Sequence, residues 1–466
     1  MGTTVFERNA PPLDVIESAL ARSKNMPFWI DDIGPQSSRK PLEGEAKADL
    51  VIVGGGYLGL WSALMATERH PNLKVMLLEA NRIGGAASGR NGGFCEASIT
   101  HGHDNAANQW PEEADQLHRM GLENLTELEA TLDRYGIDCD YERTGTLTVA
   151  VEPYQAEMMR EHGGMSAEEV QAEVASPTYL SGIYSPNDGA ILHPAKLASG
   201  LARVATQRHV CMHEKSHVRS VEPFGKKILV RTSDGHVIAD HVILATNAFP
   251  SLLRRYRRHT IPVYDYVLMT QPLTEAQMTS VRWSRRQGIS DVANQFHYYR
   301  LSKDNRILFG GYDAVYHFGG RIHPDLEERQ SSFRKLASHF FTTFPQLAGL
   351  KFTHRWAGVI DTSSRFCAFF GEEYDGRVLH AAGFTGLGVG ATRFAANVLL
   401  DKVFGLDTER TRLRMTREMP TPFPPEPIAY ATVNLVRIAL DRADHNEGRR
   451  GALLKLMDAF GVGFNS

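Results

Sequence analysis

The part of the 466-residue chain that most restricts its fold is residues 48–93, ADLVIVGGGYLGLWSALMATERHPNLKVMLLEANRIGGAASGRNGG. Residues 50–53 are apolar without a break, the character of a strand covered on both faces, as inner strands of parallel sheets are. Gly54, Gly56 and Gly59 then form G-x-G-x-x-G where that strand turns into a helix, with Tyr57 and Leu58 in its first turn. The first glycine permits the tight turn, the second lets a pyrophosphate approach the backbone, and the third lets helix and sheet pack closely. Pro71 marks the end region of the helix. A second strand over residues 74–78 finishes on Glu79, where a carboxylate can accept both hydroxyl hydrogens of an adenosine ribose. An ordinary strand-to-helix turn leaves Glu79 unexplained, so the order of these elements reads as a dinucleotide-binding unit.

The loop that follows narrows the choice of dinucleotide. Ala80 opens it, and Gly85, Ala86, Ala87, Ser88, Gly89, Arg90, Asn91, Gly92 and Gly93 are too small and polar to pack a core. They suit main-chain and hydroxyl contacts to a long anion, with Arg90 as a counter-charge. Glu79 followed by IGGAASGRNGG resembles the D-amino-acid-oxidase superfamily of FAD enzymes, the branch with glycine, sarcosine and γ-glutamylputrescine oxidases. The resemblance implies an α/β (α+β overall) fold: a Rossmann-type FAD-binding domain of the glutathione-reductase kind and a second, antiparallel-sheet substrate domain.

A formal net charge of −3 argues against nucleic acid as a general partner. Arg254, Arg255, Arg257 and Arg258 form a local basic run, read as a solvated helix end or a surface for an acidic partner. Cys95, Cys139, Cys211 and Cys367 are far apart with no C-x-x-C pair, so they read as reduced thiols of a cytoplasmic protein. The opening residues lack the basic and apolar regions of a signal peptide, and no stretch is apolar for the length of a membrane span. His101 and His103 are two apart without a third ligand at a matching interval, so no metal is expected.

Residues 1–45 carry Pro11, Pro12, Pro27, Pro35 and Pro41 and read as a surface wrap anchored by Phe28 and Trp29, with no part in the chemistry. The FAD domain is expected to be discontinuous, over residues 46–100, 190–255 and 353–405. The substrate domain takes residues 101–189 and 256–352. Within it, residues 112–135 carry Leu117, Met120, Leu125, Leu128 and Leu132 at helical spacing. Residues 261–270 and 296–313 alternate as antiparallel strands rich in tyrosine. The tail, residues 406–466, reads as helical after the joint TPFPPEP at 421–427, with an apolar stripe that docks in cis or on a second copy.

The resemblance adds cofactor contacts at Val218, at Thr246, Asn247 and Ala248, and at Gly358. It also covers the turn Gly383, Phe384, Thr385, Gly386, Leu387, Gly388 and Val389, which leads from a strand into a helix N-terminus. The family pattern there is G-x-[ST]-G-H-G, and this chain has Leu387 in place of the histidine. Attachment residues for a covalent flavin are missing, since Arg90 and Asn91 stand where some relatives have histidine and Cys367 lies beyond Asp361; FAD is expected to be non-covalent.

The implied reaction is oxidation of a carbon–nitrogen bond. Hydride passes to flavin N5, the imine is hydrolysed, and the flavin is reoxidised, commonly by O2 to give peroxide. An alkylamine has a pKa near ~10 in water, and only its neutral form can release hydride, so the pocket must disfavour the cation. Tyr298, Tyr299 and Trp356 are expected as walls from a cluster that also holds Tyr264 and Tyr266. Arg300 is read either as an anchor for an anionic substrate group or as a structural ion pair. An amine oxidase, a dehydrogenase passing electrons to another acceptor, and an electron-relay subunit all remain open.

Overall fold

The computed structural model describes residues 2–459 and is built on two large sheets, with a two-stranded ribbon of Phe94–Glu96 and Gly189–Ile191. Parallel strands run through the middle of the eight-stranded sheet, in the order Val378–Ala382, Gly235–Leu244, Gly44–Val53, Val75–Leu78 and Cys211–His213. Phe369–Glu373 closes one edge antiparallel, and a hairpin of Ser220–Phe224 and Lys227–Arg231 hangs on Gly235–Leu244. The unbroken apolar run at 50–53 has a simple cause. Leu50 and Ile52 enter the core that holds Trp61 and Leu64, while Val51 and Val53 enter the core on the opposite face. The strand begins at Gly44, earlier than expected, because residues 44–48 also pair with residues 235–239.

The nine-stranded sheet runs Lys24–Asn25, Phe352–Thr362, Ile261–Thr270, Ile307–Gly311, His297–Leu301, Gly288–Asp291, Thr146–Ala150 and Ser181–Ser185, with Val315–Tyr316 beside Ile261–Thr270. It is antiparallel apart from its first pairing and that of Gly288–Asp291 with Thr146–Ala150. Its back face packs on helix Gln330–Thr343, burying Tyr264, Tyr266, Tyr299 and Phe309 with Phe333 and Phe340. Its front face carries Val267, Met269, Leu308 and Trp356, with Tyr298 packed against them.

Several boundaries drawn from sequence move. Phe352–Thr362, assigned above to the FAD domain, pairs along its length with Ile261–Thr270 and so belongs to the second sheet. Helix Ala114–Tyr135, assigned above to the substrate domain, buries Leu117, Leu125, Leu128 and Leu132 in the same core as Leu60 and Leu399. Its apolar stripe is read correctly, but only packing reveals which unit it covers. Residues 1–45 are more than a wrap: Lys24–Asn25 forms the edge strand of the second sheet. In the tail, helix Ile428–Asp444 is held in cis by Asp444, which accepts from the Asn294 and Gln295 N–H groups, while Leu435 and Ile438 are exposed. Residues 460–466 of the tail lie outside the described residues.

Candidate active site

The glycine-rich turn is built by close contacts that exclude side chains. A Cβ on Gly59 would stand 1.9 Å from the Gly54 carbonyl oxygen, and one on Gly54, whose φ is +114°, would stand 2.3 Å from the Ala245 oxygen. A Cβ on Gly56 would meet only the Ser88 hydroxyl, at 2.9 Å. Ser88 Oγ accepts the Tyr57 N–H at 2.9 Å, which brings the loop over the first turn of helix Tyr57–Arg69; Leu58 is buried in that turn. First-turn N–H groups have no partner within their own helix and form an anion site. Glu79 accepts from the Gly55 N–H at 2.7 Å and the Asn81 N–H at 2.8 Å, leaving lone pairs on both oxygens; burial pushes its carboxyl above the usual range. Ala80 follows it half-buried, and Val218 is buried in one cluster with Val53 and Leu78. Thr246 has a buried hydroxyl without a partner, Asn247 is left-handed at φ +49°, and Ala248 is buried.

The loop from Gly85 to Gly93 is gripped by its main chain. The indole of Trp356 donates to the Arg90 carbonyl at 2.7 Å, the indole of Trp29 to the Asn91 carbonyl at 2.9 Å, and the Arg300 guanidinium to the Gly93 carbonyl at 3.1 Å. Ala86 and Ala87 lead into the short helical turn Ala87–Gly89, and Asn91 Nδ2 donates back to the Ala87 carbonyl at 3.0 Å. The Tyr298 ring lies against Gly92, where an added Cβ would stand 2.7 Å from it. Trp29 therefore gives the N-terminal segment a share in the site, contrary to the expectation from sequence.

The arginines and tyrosines singled out from sequence are placed by their contacts. Arg300 makes no side-chain ion pair among the described residues: Nη1 and Nε donate to the carbonyls of Gly93, Leu192 and Leu301, and burial lowers its pKa to about 9. Tyr299 alternates with Tyr298 along the strand and points to the back core, where its hydroxyl meets that of Tyr179 at 2.7 Å. Tyr264 and Tyr266 share that back face. Arg90 spends its charge on Glu327 at 2.6 Å, with a bond to the Gly85 carbonyl, so its charge is already answered within the protein.

The turn from Gly383 to Val389 is organised by Asp361, which sequence reading passed over. Asp361 Oδ2 accepts the N–H groups of Gly383 at 2.6 Å and Phe384 at 3.2 Å, and burial raises its pKa to about 6 against those two bonds. Gly386 is left-handed, and Leu387 caps helix Gly388–Val403 while its side chain enters the core. His101 reaches the same turn from another element, its Nε2 standing 2.5 Å from the Thr385 carbonyl, to which it can only donate. His103 turns to the surface and Asp115, and no metal-binding group of three ligands exists among the described residues. In the sequence His101 stands out only by its spacing from His103, which says nothing of the turn it reaches.

Asp265 is the other residue the sequence did not single out. It accepts the Tyr298 hydroxyl across Gly310, whose missing side chain leaves that path clear. Directly opposite Asp265 in the sheet is Gly358, where an added Cβ would meet nothing within 4 Å. Asp265 is only half-buried by surface, yet desolvation is the largest influence on it and raises its pKa to about 6. Asp265 is thus reached by solvent yet surrounded by protein, with open space beside it at Gly358.

Rossmann-type turn, ribose-facing carboxylate, gripped loop and closing helix N-terminus together define a flavin dinucleotide enzyme. The FAD dependent oxidoreductase (DAO) family model matches residues 49–401, and the chain belongs to that family. It is similar to γ-glutamylputrescine oxidoreductase of Escherichia coli strain K12, 33% identical over 389 residues, covering 79% of this chain and 86% of that one. Its fold is that of glycine oxidase from Geobacillus kaustophilus, with a TM-score of 0.66 at 18% identity over 80% of this chain and all (100%) of the other. Iminodiacetate oxidase from Chelativorans sp. BNC1 has the same fold, with a TM-score of 0.63 at 18% identity over 80% of this chain and 99% of its own. The protein is an FAD-dependent oxidoreductase. The cradle fits the cofactor: the turn carries no side chain at Gly54, Gly56 and Gly59, and Thr246 keeps an unpartnered buried hydroxyl. No helix among the described residues is long and apolar enough to cross a membrane.

Proposed function

We propose that this enzyme oxidises the carbon–nitrogen bond of a primary or secondary amine, with O2 as the electron acceptor. The observation that carries the reading is the open space on the front of the second sheet beside Asp265. Its room lies at Gly358, and its polar groups are Asp265 and Tyr298. FAD, when bound non-covalently along residues 54–59, Glu79 and the 85–93 loop, supplies the two-electron acceptor. The protein supplies position and dryness. Phe94, edge-on to Tyr298 at 5.6 Å, and Trp356 wall off water, which disfavours an ammonium ion and favours the neutral amine. The similarity to an E. coli enzyme named for γ-glutamylputrescine supports an amine substrate. Four unpaired cysteines, three of them buried, support a cytoplasmic setting.

The test is a panel of mono- and diamines offered to the purified yellow protein. Under anaerobic conditions an amine substrate bleaches the flavin, and in air peroxide appears in step with amine consumed. Bleaching without peroxide would move the enzyme to the dehydrogenases. Failure of every amine and amino acid to bleach it overturns the reading.

A further inference from the structure

Asp265 stands beside open space on the front of the second sheet and is held there by defined partners. Its strand, Ile261–Thr270, lies between Phe352–Thr362 and Ile307–Gly311. On one side Gly358 leaves space; on the other, Gly310 lets Tyr298 lean across from the next strand and donate its hydroxyl to Oδ2. The Tyr298 ring also packs against the Gly92 end of the loop. A carboxylate that accepts one hydroxyl still has lone pairs for a cation. The arginine of the loop and the one that grips it are both engaged by the protein itself, Arg90 with Glu327 and Arg300 with main-chain carbonyls.

Resting on the amine-oxidation reading, we propose that Asp265 binds the substrate's ammonium group and accepts one of its protons, so that the site selects amines without an α-carboxylate. The step is a proton transfer: an N–H bond of R–CH2–NH3+ breaks, an O–H bond forms on Asp265, and R–CH2–NH2 is left beside a neutral carboxylic acid. In water an alkylamine holds the proton over a carboxylate by roughly six pKa units. At Asp265 two charges become two neutral groups, and desolvation penalises only the charged pair. Burial has already moved Asp265 towards the amine, with Asp313 pushing it further up and the Tyr298 hydroxyl and Gly311 N–H holding it down. Tyr298 is thus a positioning residue that keeps the empty site anionic.

The experiment uses the FAD-loaded protein and calorimetric titration with tert-butylamine, which has no C–H bond on the carbon bearing nitrogen and so binds without turnover. α-Aminoisobutyrate, in which a carboxylate replaces one methyl on that same carbon, is the comparison ligand. Binding of tert-butylamine is expected at least ten-fold tighter than that of α-aminoisobutyrate, and it should weaken as pH falls through about 6. Asp265→Asn should weaken it at least ten-fold and remove the pH limb, and Tyr298→Phe should weaken it several-fold while moving the limb upward. Unchanged affinity and an unchanged limb in Asp265→Asn, or α-aminoisobutyrate binding as tightly as tert-butylamine, overturns the assignment. Should Asp265→Asn lose its flavin, Tyr298→Phe decides: an unmoved limb is fatal. Flavin bleaching by an amine panel is read separately, so amine oxidation can stand while the Asp265 assignment falls.

Discussion

The indole N–H of Trp356, on the front of the second sheet, donates at 2.7 Å to the main-chain carbonyl of Arg90 in the cofactor loop of the first unit. Trp356 is 1% exposed, so this bond is made out of water's reach. Removing the donor strands a buried carbonyl, at a cost of about 1–3 kcal/mol. Trp356→Phe keeps the ring volume in large part and loses the bond. It should release FAD roughly ten-fold more readily, seen as the flavin fraction lost on repeated desalting, with the secondary structure unchanged.

Arg300 serves the same loop from the neighbouring position. A guanidinium donating to buried carbonyls of Gly93 and Leu192 contributes about 1.5–3 kcal/mol per charged bond at the outside. Arg300→Met is expected to lower the urea midpoint and to weaken FAD retention. It should alter kcat/KM for an anionic and for a neutral amine by the same factor, because the side chain faces the loop rather than the substrate. A selective loss with the anionic amine would restore the anchor role.

Asp361 makes stability depend on pH with a definite sign. Its folded pKa, about 6, lies above the ordinary 3.8, so the stabilisation is complete below the lower value and disappears as pH rises through the upper one. The full effect is about 3 kcal/mol at most for a shift of this size. Asp361→Asn can still accept the Gly383 and Phe384 N–H groups and has no proton to lose. Thermal unfolding from pH 4 to pH 8 should show the variant gaining on the parent as pH rises; a constant difference would remove Asp361 as the source.

Two glycines of one motif should fail in different ways. Gly59→Ala would force a Cβ to 1.9 Å from a main-chain oxygen and should abolish folding or cost several kcal/mol. Gly56→Ala meets only the end of the Ser88 side chain, which can turn away. It should leave the melting temperature of the flavin-free protein within a few degrees while raising the apparent Kd for FAD at least ten-fold, measured by quenching of flavin fluorescence.

The first sheet and its cradle could be read from the chain because their determinants are local. A strand buried on both faces, a turn that tolerates no Cβ and a carboxylate at the next strand's end all lie within residues 50–79, and short-range sterics enforce their order. The same holds for the turn at residues 383–389. The resemblance of the loop to a flavoprotein family carried the choice of cofactor.

Tertiary structure decided what the tyrosines, arginines and acids do. Alternation along His297–Leu301 puts Tyr298 and Tyr299 on opposite faces whatever the fold, but only the packing of helix Gln330–Thr343 says which face is the core. Arg300 was equally suited to an anion, and only the meeting of three segments, at Gly93, Leu192 and Leu301, shows that carbonyls claim it. Asp265 looked like one polar residue in an alternating strand until Tyr298 and Gly358 were brought beside it from elsewhere in the chain. Chemistry at a cofactor needs groups that converge from distant segments, and convergence is set by long-range packing that no window of sequence contains.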